Sequence, residues 1–338
     1  MKYKSKDIAK ILGVSPATIS LVLNNKPGVS AAKRLEISEK IKEMGYGHLL
    51  KQEVVDKGTI GFIVFKCQGA IIDEFPFFSY LIEGINTNIL KHGYKMSLIY
   101  MNGDDSPEEQ MMMIQNSGCI GFIVYAVEMF GKDLEIFDQI SYPCVYLDNS
   151  FVGMDVDTVA IDNYLGVSQA IKYLYEKSHR RIGYIKSRVV VQSFLERFEA
   201  YEKIMESLNL KIYDKDIMSV GYLEQETVKD VKEFIDHCDT LPTAFFADND
   251  LLACRAVQAF KESGCKVPED VSIIGFDNRP ICDFTEPKVS TIAIPRDIMG
   301  YIAVDMLIAR LDQRRDHSCK TLVGTRLFER DSVTSITK

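Results

Sequence analysis

The chain has 338 residues and a formal net charge of -8, with 46% hydrophobic and 26% charged residues, a composition typical of a globular protein with roughly two or three domains. No stretch approaches the roughly 18–20 continuous apolar residues of a membrane span, and no apolar signal-peptide core is present, so we expect a cytoplasmic protein without a membrane partner. Eight scattered cysteines without a C-x-x-C pair favour buried reduced thiols over disulfides or a zinc site. The five isolated histidines also argue against a metal site.

The basic charge is concentrated near the N-terminus. Residues 1–50 hold nine Lys or Arg against four Asp or Glu, which leaves a net charge of +5 there and -13 on the rest of the chain. A basic N-terminal segment on an otherwise acidic chain is suited to bind a polyanion through that segment alone. A solvated charged helix is the alternative that this pattern leaves open.

Two short helices are predicted at the start of this basic segment. Ser5 can cap the first helix, which Gly13 ends. Ser15 can cap a second helix, because Pro16 then falls at the first helical position, where its missing N–H is harmless. The predicted inward faces are Ile8, Ala9, Ile11 and Leu12 in the first helix and Ile19, Val22 and Leu23 in the second.

A turn at residues 24–28 and a third helix, capped by Ser30 and ended by Gly45, complete the segment. The inward residues of the third helix are predicted to be Ala31, Leu35, Ile37, Ile41 and Met44. Two helices joined by a short Gly-containing turn, the second presenting small hydroxyl side chains, are typical of a helix-turn-helix. Lys33 and Arg34 supply charge for phosphates. An ordinary three-helix unit with polar outer faces is the alternative.

From Gly58 onward, strand-like and helix-like segments alternate, which predicts parallel sheets covered by helices. Helix-length segments include residues 79–92 and 106–117. Buried strands are predicted at 59–65, 95–101, 119–126, 143–149, 181–187, 216–221, 243–250 and 271–278.

Polar residues follow several of these strands, where ligands bind in open α/β sheets. We interpret Asp148, Asn249 and Asp277 as ligand-binding residues, and Asp162 and Asp250 as caps of the following helices. The chain lacks the glycine-rich phosphate loops, the nucleophile elbow and the H-E-x-x-H motif, so we expect neither an enzyme nor a cofactor.

Longer motifs extend over nearly the whole chain and resemble the lactose-repressor (LacI/GalR) family of bacterial transcription regulators. They are DIAKILGVSPATISLVLN (7–24), VSAAKRLEISEKIKEMGY (29–46), FPFF (75–78), VAIDN (159–163), SHRRIGYI (178–185), ERFEAY (196–201), KVPEDVSIIGFDN (266–278) and STIAIPRDIMG (290–300). The resemblance implies an N-terminal all-α helix-turn-helix headpiece and an α/β two-lobed periplasmic-binding-protein type I fold with parallel sheets. It also implies a homodimer that binds double-stranded operator DNA.

The resemblance sets the expected domain boundaries. The headpiece spans residues 1–46 and a short hinge spans 47–57. The effector-binding and dimerisation domain spans 58–338, with lobe 1 at about 58–161 and 292–322 and lobe 2 at about 162–291 and 323–338.

The resemblance also assigns residues to the two functional sites. Phosphate contacts are expected from Ser15, Thr18, Ser20 and Asn24, and base contacts from Pro16, Ala17 and Leu21, whose apolar side chains suit thymine methyl groups. In the cleft, Phe77 is expected to pack on the effector, and its hydroxyls are expected to bind Asp148, Arg197, Asn249 and Asp277, with Ser193 as an addition.

Two further readings stay open for cationic residues near the cleft. Arg197 could instead form an ion pair between the lobes. Lys66, Lys186 and Arg188 either favour an anionic effector or are simply solvated.

The hinge departs from the family. Tyr46 is followed by GHLLKQEVVDKGTIG instead of the Pro-Asn and Ala-Arg-x-Leu that lead into a minor-groove hinge helix. Leu49 or Leu50 could replace the hinge leucines, or could belong to the core or linker. The sequence thus predicts a sequence-specific transcriptional regulator, controlled by a small sugar-like effector between two lobes. A sugar-binding sensor whose headpiece has lost specific DNA binding is the alternative.

Overall fold

A computed structural model describes residues 5–50, 57–67, 69 and 79–336. The chain divides into two compact units, Met1–Lys57 and Gly58–Lys338. Among the described residues, the first unit contains the helices α1 (Ser5–Ile11), α2 (Pro16–Leu23) and α3 (Ala31–Glu43), followed by a short 3-10 helix at Gly47–Leu49.

The predicted helix boundaries of the first unit are confirmed at α2 and α3. The Ser15 Oγ accepts a hydrogen bond from the Thr18 N–H at 3.0 Å, and Pro16 is the first residue of α2. The Ser30 Oγ accepts from the Lys33 N–H at 3.4 Å. Gly45 follows α3 with a φ of +80°, the left-handed conformation that commonly ends a helix.

A small apolar core holds the three helices together. Its buried members are Ile8, Ala9, Ile19, Val22, Leu23, Ile37 and Ile41. The prediction was wrong for Ile11 and Leu35, which are 55% and 62% exposed, and for Ala31, which is also exposed. At about 100° per residue, Ile11 lies about 110° from the centre of the face formed by Ile8, Ala9 and Leu12, and Leu35 lies far from the face of Ile37.

The second unit is built from parallel strands and the helices between them. Its strands are β1 (Thr59–Lys66), β2 (Lys95–Asn102), β3 (Cys119–Tyr125), β4 (Cys144–Leu147), β5 (Asp157–Ile161), β6 (Ile182–Ser187), β7 (Ile217–Val220), β8 (Ala244–Ala247), β9 (Ser272–Asp277), β10 (Ser290–Ala293), β11 (Lys320–Val323) and β12 (Arg326–Phe328). Its helices are α4 (Ser79–Lys91), α5 (Pro107–Asn116), α6 (Glu135–Asp138), α7 (Asn163–Glu176), α8 (Gln192–Ser207), α9 (Glu224–His237), α10 (Asp250–Glu262) and α11 (Arg296–Leu311).

Within the described residues, the strands form two six-stranded sheets, one for each lobe. The lobe 1 sheet has the order β11-β5-β4-β3-β1-β2, and the lobe 2 sheet has the order β12-β10-β9-β8-β6-β7. The paired strands are parallel except for β12, which runs antiparallel to β10. This two-lobed α/β architecture is the predicted fold class.

The chain passes between the two sheets three times, after β5, after β10 and after β11. Residues 292 and 293 belong to β10 and pair with β9 in the lobe 2 sheet, so the second passage follows residue 293. Helix α11 then returns to lobe 1, where it packs against α4, β3, β4 and β5.

All eight predicted strands form, but β2 differs from expectation. It is an edge strand, and Leu98 and Tyr100 are 41% and 56% exposed, whereas the sequence predicted a buried strand. The strands β5, β10, β11 and β12 were not predicted as strands. They are three to five residues long, which is too short for a periodic pattern to distinguish a strand from a loop.

Buried carboxylates fasten the ends of these strands. Asp157, at the start of β5, accepts hydrogen bonds from the Arg310 Nε at 2.8 Å, from the Cys319 N–H at 2.7 Å and from Arg315. Burial alone would raise the pKa of Asp157, but the hydrogen bonds from Arg315 and Arg310 outweigh it and lower that pKa. In lobe 2, Arg181 binds Asp216 through two hydrogen bonds of 2.6 and 2.7 Å. All eight cysteines are free thiols; three of them, Cys119, Cys254 and Cys282, are buried as predicted, and the other five are half-buried.

Candidate DNA-binding surface and effector cleft

The outward face of α2 carries the residues predicted to contact DNA. Ser15, Pro16, Ala17, Ser20 and Asn24 are exposed, while Thr18 and Leu21 are half-buried. The buried face of the same helix, at Ile19, Val22 and Leu23, faces the core of the first unit. The sequence pattern therefore separates the two faces of α2 correctly.

Two of these polar side chains also stabilise α2 itself. The Ser15 Oγ caps the helix and lies 2.8 Å from the Thr18 Oγ1. At the other end, the Asn24 Nδ2 donates to the Ser20 carbonyl at 2.9 Å. Ser20 retains an exposed hydroxyl on the outward face, so it is a direct candidate for a phosphate contact.

Lys33 and Arg34 are neighbours in α3 but differ in their partners. The Lys33 Nζ is exposed and lies 2.9 Å from the Glu36 carboxylate, which Lys40 also contacts at 2.9 Å. Hydrogen bonds from Lys33 and Lys40 lower the pKa of Glu36 to about 2. The half-buried Arg34 guanidinium instead donates to the protein, at the Leu21 carbonyl, the Asn25 Oδ1 and the Lys26 carbonyl.

The two leucines at the start of the hinge have different surroundings. Leu50 packs against the core of the first unit, the core role that the sequence analysis left open. Leu49 is 39% exposed. Residues 51–56 lie outside the described residues.

Five of the six predicted effector-binding residues line one cavity between the lobes, and Phe77 lies outside the described residues. Asp148 follows β4 in lobe 1, whereas Ser193, Arg197, Asn249 and Asp277 belong to lobe 2. The cavity is small, about 30 Å³, which is room for one or two water molecules. A ligand of the size of a sugar therefore requires the cleft to open.

Arg197 is the central cation of the cleft. It is 2% exposed, and its Nε donates to the Asn163 Oδ1 at 2.9 Å while its Nη1 donates to the Asp248 carbonyl at 2.5 Å. Its Nη2 lies 3.4 Å from the Asp277 Oδ1, and its guanidinium stacks 3.8 Å from the centre of the Phe276 ring. All of these partners are in lobe 2, so the alternative of an ion pair between the lobes was wrong for Arg197.

Two further arginines converge on Asp277. The Arg279 Nε lies 3.4 Å from the Asp277 Oδ2, and the Arg296 Nη2 lies 3.8 Å from Oδ1. The Arg296 Nη1 also donates to the Asp277 carbonyl at 2.9 Å. Because Arg296 begins α11 of lobe 1, this contact links the two lobes. Burial lowers the pKa of Arg296 to about 10, against the opposite influence of Asp277.

Asp148 faces this cluster from lobe 1. The Tyr125 hydroxyl donates to its Oδ2 at 3.4 Å. Burial raises the pKa of Asp148 to about 7, with a further contribution from the Asp277 carboxylate, while Arg197 and Arg296 oppose the shift. Two carboxylates and three guanidinium groups thus line one small space. Together they can accept hydrogen bonds from vicinal hydroxyl groups and donate hydrogen bonds to them.

A second contact between the lobes lies beside the cavity. The Ser150 Oγ of lobe 1 donates to the Glu196 Oε1 of α8 at 2.6 Å, and the Asn163 Nδ2 donates to the Glu196 Oε2 at 2.7 Å. Since Asn163 also accepts from Arg197, the bridge and the cavity share one hydrogen-bonded network. A change in the hydrogen bonds of Arg197 in the cleft can therefore affect the bridge between the lobes.

The structure reverses part of the assignment of caps and ligands. Asp162 caps α7 by accepting from the Leu165 N–H at 2.9 Å, as predicted. Asn249, predicted to bind the effector, caps α10 through the Leu252 N–H and donates to the Tyr222 hydroxyl, although it also lines the cavity.

Asp250, predicted to be a cap, does not act as one. It accepts hydrogen bonds from the Arg279 N–H at 2.6 Å and from the Thr291 hydroxyl at 2.5 Å. Burial raises the pKa of Asp250 to about 7, with an added contribution from Asp277. Asp250 thus holds the loop that carries Arg279, and the neighbouring Asn249 is the cap.

The three other cations considered for the effector lie away from the cavity lining found among the described residues. The Lys186 Nζ lies 3.7 Å from the centre of the Phe198 ring. Arg188 pairs with Asp230 at 2.8 Å. Lys66 ends β1 and is half-buried.

The cavity is also lined by Tyr125, Arg279 and Arg296, which were not predicted from the sequence. Tyr125 and Arg279 follow the rule used for Asp148 and Asp277, because they lie at the carboxyl ends of β3 and β9. Arg296 lies within the family motif STIAIPRDIMG (290–300). Its role could be recognised only in the tertiary structure, because Arg296 belongs to lobe 1 and reaches Asp277 of lobe 2.

The described residues contain no helix that is both long enough and apolar enough to span a bilayer. Within the same ranges, no group of three His, Cys, Asp or Glu side chains is placed to hold a metal ion.

Comparisons with protein families cover both units. Residues 5–47 match the family described as bacterial regulatory proteins, lacI family, and residues 171–333 match the periplasmic binding protein-like domain. The protein is a LacI-family transcription regulator.

Individual relatives of this LacI-family regulator match along nearly its whole length. The HTH-type transcriptional repressor PurR of Pasteurella multocida is 29% identical over 335 residues, which is 98% of each chain. The transcriptional regulator CelR in complex with cellobiose superposes with a TM-score of 0.74 at 23% identity, covering 98% of this chain and 100% of CelR. The lac repressor dimer bound to operator and anti-inducer gives a TM-score of 0.72 at 19% identity, with coverages of 99% and 100%.

The raised pKa of Asp148 leads to a prediction about stability. In the folded protein this pKa is about 7, above its ordinary value of 3.8, so the stability contributed by its protonated form is lost as the pH rises toward 7. Asn does not titrate. The free energy of unfolding of Asp148→Asn, taken relative to that of the wild type, should therefore be higher at pH 8.5 than at pH 4.5 by roughly 1–3 kcal/mol. Urea unfolding of both proteins at the two pH values measures this difference.

The control for this prediction is Asp104→Asn, at an exposed aspartate of the same lobe, which should change the stability equally at both pH values. A pH-independent effect of Asp148→Asn would contradict the prediction.

Proposed function

We propose that this LacI-family regulator is a sequence-specific DNA-binding repressor whose affinity for its operator is set by a small sugar-like effector. The observation that carries this proposal is the convergence of Asp148 from one lobe with Arg197 and Asp277 from the other on a single cavity. The same chain carries an N-capped helix with an exposed face of small hydroxyl and apolar side chains. A protein that acts on a bacterial operator works in the cytoplasm.

The contacts expected on DNA follow from the two kinds of side chain on α2. Ser15, Thr18, Ser20 and Asn24 are proposed to contact phosphate oxygens, which position the helix. Pro16, Ala17 and Leu21 are proposed to face the bases, where apolar side chains favour thymine methyl groups. Lys33 adds an exposed positive charge that strengthens binding by counterion release.

The effector is proposed to act through the arrangement of the lobes. The present cavity of about 30 Å³ admits no sugar, so binding requires a different lobe arrangement. The contacts Ser150–Glu196 and Arg296–Asp277 favour the present one. An effector shifts the equilibrium only by its difference in affinity for the two arrangements. Through a dimer, that shift changes the spacing of the two headpieces.

Homodimerisation is supported by exposed apolar side chains on both lobes. In lobe 1, Leu98 and Tyr100 lie on the edge strand β2, and in lobe 2 Phe284 is 87% exposed and Ile281 is 38% exposed. An exposed sheet edge and clustered apolar side chains are typical of protein interfaces. A dimer with two headpieces suits a pseudo-palindromic operator.

The DNA-binding proposal predicts salt-dependent, sequence-specific binding. A duplex selected from a random pool by the wild-type protein should bind more tightly than its scrambled version in fluorescence anisotropy. Ser20→Glu should weaken operator binding by about tenfold or more, because a carboxylate near phosphates is repelled. Ser263→Glu makes the same charge change on an exposed position of the second unit and should leave affinity unchanged.

Equal binding of the wild type to the selected and scrambled duplexes would contradict the proposal. That result would leave the protein as a ligand sensor whose headpiece has lost specific DNA binding.

The effector proposal predicts a selective effect of Asp277→Asn. Asn keeps the shape and tolerates the φ of +116° at this position, but it removes the charge that faces three arginines. With a sugar found by thermal-shift screening of ribose, cellobiose, gluconate and glucose 6-phosphate, the variant should lose its response to that sugar and keep its operator affinity. Asp239→Asn, at an exposed aspartate of the same lobe, is the matched control. An unchanged response in Asp277→Asn would refute the assignment.

The dimer proposal predicts that Tyr100→Glu and Phe284→Glu shift the protein toward monomer in sedimentation velocity, because a charge is expensive to bury in an apolar interface. Operator affinity should fall in parallel. Tyr164→Glu, at a tyrosine that is 50% exposed on α7, should remain dimeric. A dimer that persists in both interface variants would place the interface elsewhere.

A further inference from the structure

Arg34 reaches from α3 to the C-terminal end of α2 and to the turn after it. Its Nη1 donates to the Leu21 carbonyl at 3.2 Å and to the Asn25 Oδ1 at 2.9 Å. Its Nη2 donates to the Lys26 carbonyl. The guanidinium therefore connects three successive parts of the chain: the last turn of α2 at Leu21, the side chain of Asn25 in the turn, and the backbone at Lys26.

The physical reason for this position is the polarity of the helix end. The last carbonyl groups of a helix have no partners within the helix and carry partial negative charge. The Leu21 carbonyl already accepts from the Lys26 N–H at 2.8 Å, and Asn25 adopts a φ of +48°. A planar guanidinium can bind several such acceptors at once, which a lysine ammonium on a single stem does less well.

The turn after α2 also packs against Leu21, one of the residues proposed to face the bases. A Cβ atom on Gly28, which has a φ of +116°, would lie 3.2 Å from the Leu21 Cδ1. The turn backbone is thus packed closely against that side chain. Asn24 lies in the same stretch and donates to the Ser20 carbonyl. Displacement of the turn would therefore move Leu21 and Asn24 together.

Lys33, one residue earlier, provides the contrast. Its ammonium is exposed and pairs with Glu36 on its own helix. The two side chains carry the same charge, but the hydrogen bonds of Arg34 reach α2 and the turn, whereas that of Lys33 stays within α3.

We propose that Arg34 is a positioning residue for operator recognition. It holds the C-terminal end of α2, with Leu21 and Asn24, in the geometry that reads DNA, and it does not serve as a phosphate contact. This inference rests on the proposed DNA-binding function. The wild-type titration on the selected duplex tests that function, and the variants below test Arg34.

The experiment measures the affinity of the full-length protein for the selected and scrambled duplexes over a range of salt concentrations, with Arg34→Gln, Arg34→Lys and Lys33→Gln. Arg34→Gln should weaken binding to the selected duplex by about tenfold and barely affect the scrambled one, so that the ratio of the two affinities falls. The slope of log affinity against log salt should stay at the wild-type value, because no phosphate contact is lost. Arg34→Lys should behave like Arg34→Gln.

Lys33→Gln is the matched loss of one charge and should leave the affinity ratio unchanged. The inference would be overturned if Arg34→Gln weakened binding to both duplexes equally and lowered the slope of log affinity against log salt by about 0.9, while Arg34→Lys restored both. Arg34 would then be a phosphate contact.

A milder variant keeps the test valid if Arg34→Gln unfolds the headpiece. Asn25→Gly removes one acceptor of Arg34 without a change of charge, and glycine suits the φ of +48°. It should lower the affinity ratio by a few fold at an unchanged salt slope, with the circular dichroism of the wild type. An unchanged ratio in Asn25→Gly would overturn the inference.

Discussion

The carboxylate of Asp277 lies among the guanidinium groups of Arg197, Arg279 and Arg296, and the cleft of the second unit depends on this contact. A buried charge without a partner is costly, so each of these side chains constrains the others. Arg197 extends the constraint to Asn163 and to the end of β8, and Arg296 extends it to lobe 1. The candidate effector cavity and the contact between the lobes are consequently parts of one network.

This coupling is the physical basis of the regulatory role that we propose for the cleft. The bridge from Ser150 to Glu196 lies in the same network as the Arg197 side chain. A ligand that forms hydrogen bonds with Asp148 and Asp277 must therefore compete with contacts that fix the lobe arrangement. Binding energy is converted in this way into a preference for one arrangement, which is the thermodynamic requirement for allosteric control.

The headpiece has a much smaller apolar core than the second unit, and local contacts stabilise it. Its helices are held by the caps Ser15 and Ser30, by the apolar core that includes Ile19 and Ile41, and by the Arg34 guanidinium at the end of α2. The basic charge of residues 1–50, against the acidic charge of the remainder, directs a polyanion to this unit, because the rest of the chain repels it.

The sequence by itself determined the helix caps at Ser15 and Ser30, the buried face of α2, the longer strands and the family. These features depend on neighbouring residues and on apolar periodicity, both of which can be read from the chain. Only the tertiary structure decided that Asn249 caps α10, that Asp250 holds the Arg279 loop, that Arg296 crosses between the lobes and that Arg34 binds the end of α2. A polar side chain near a strand end or on a helix has the same local pattern whether it meets a ligand or another part of the protein. Its partner is set by distant elements that the fold brings within hydrogen-bond distance.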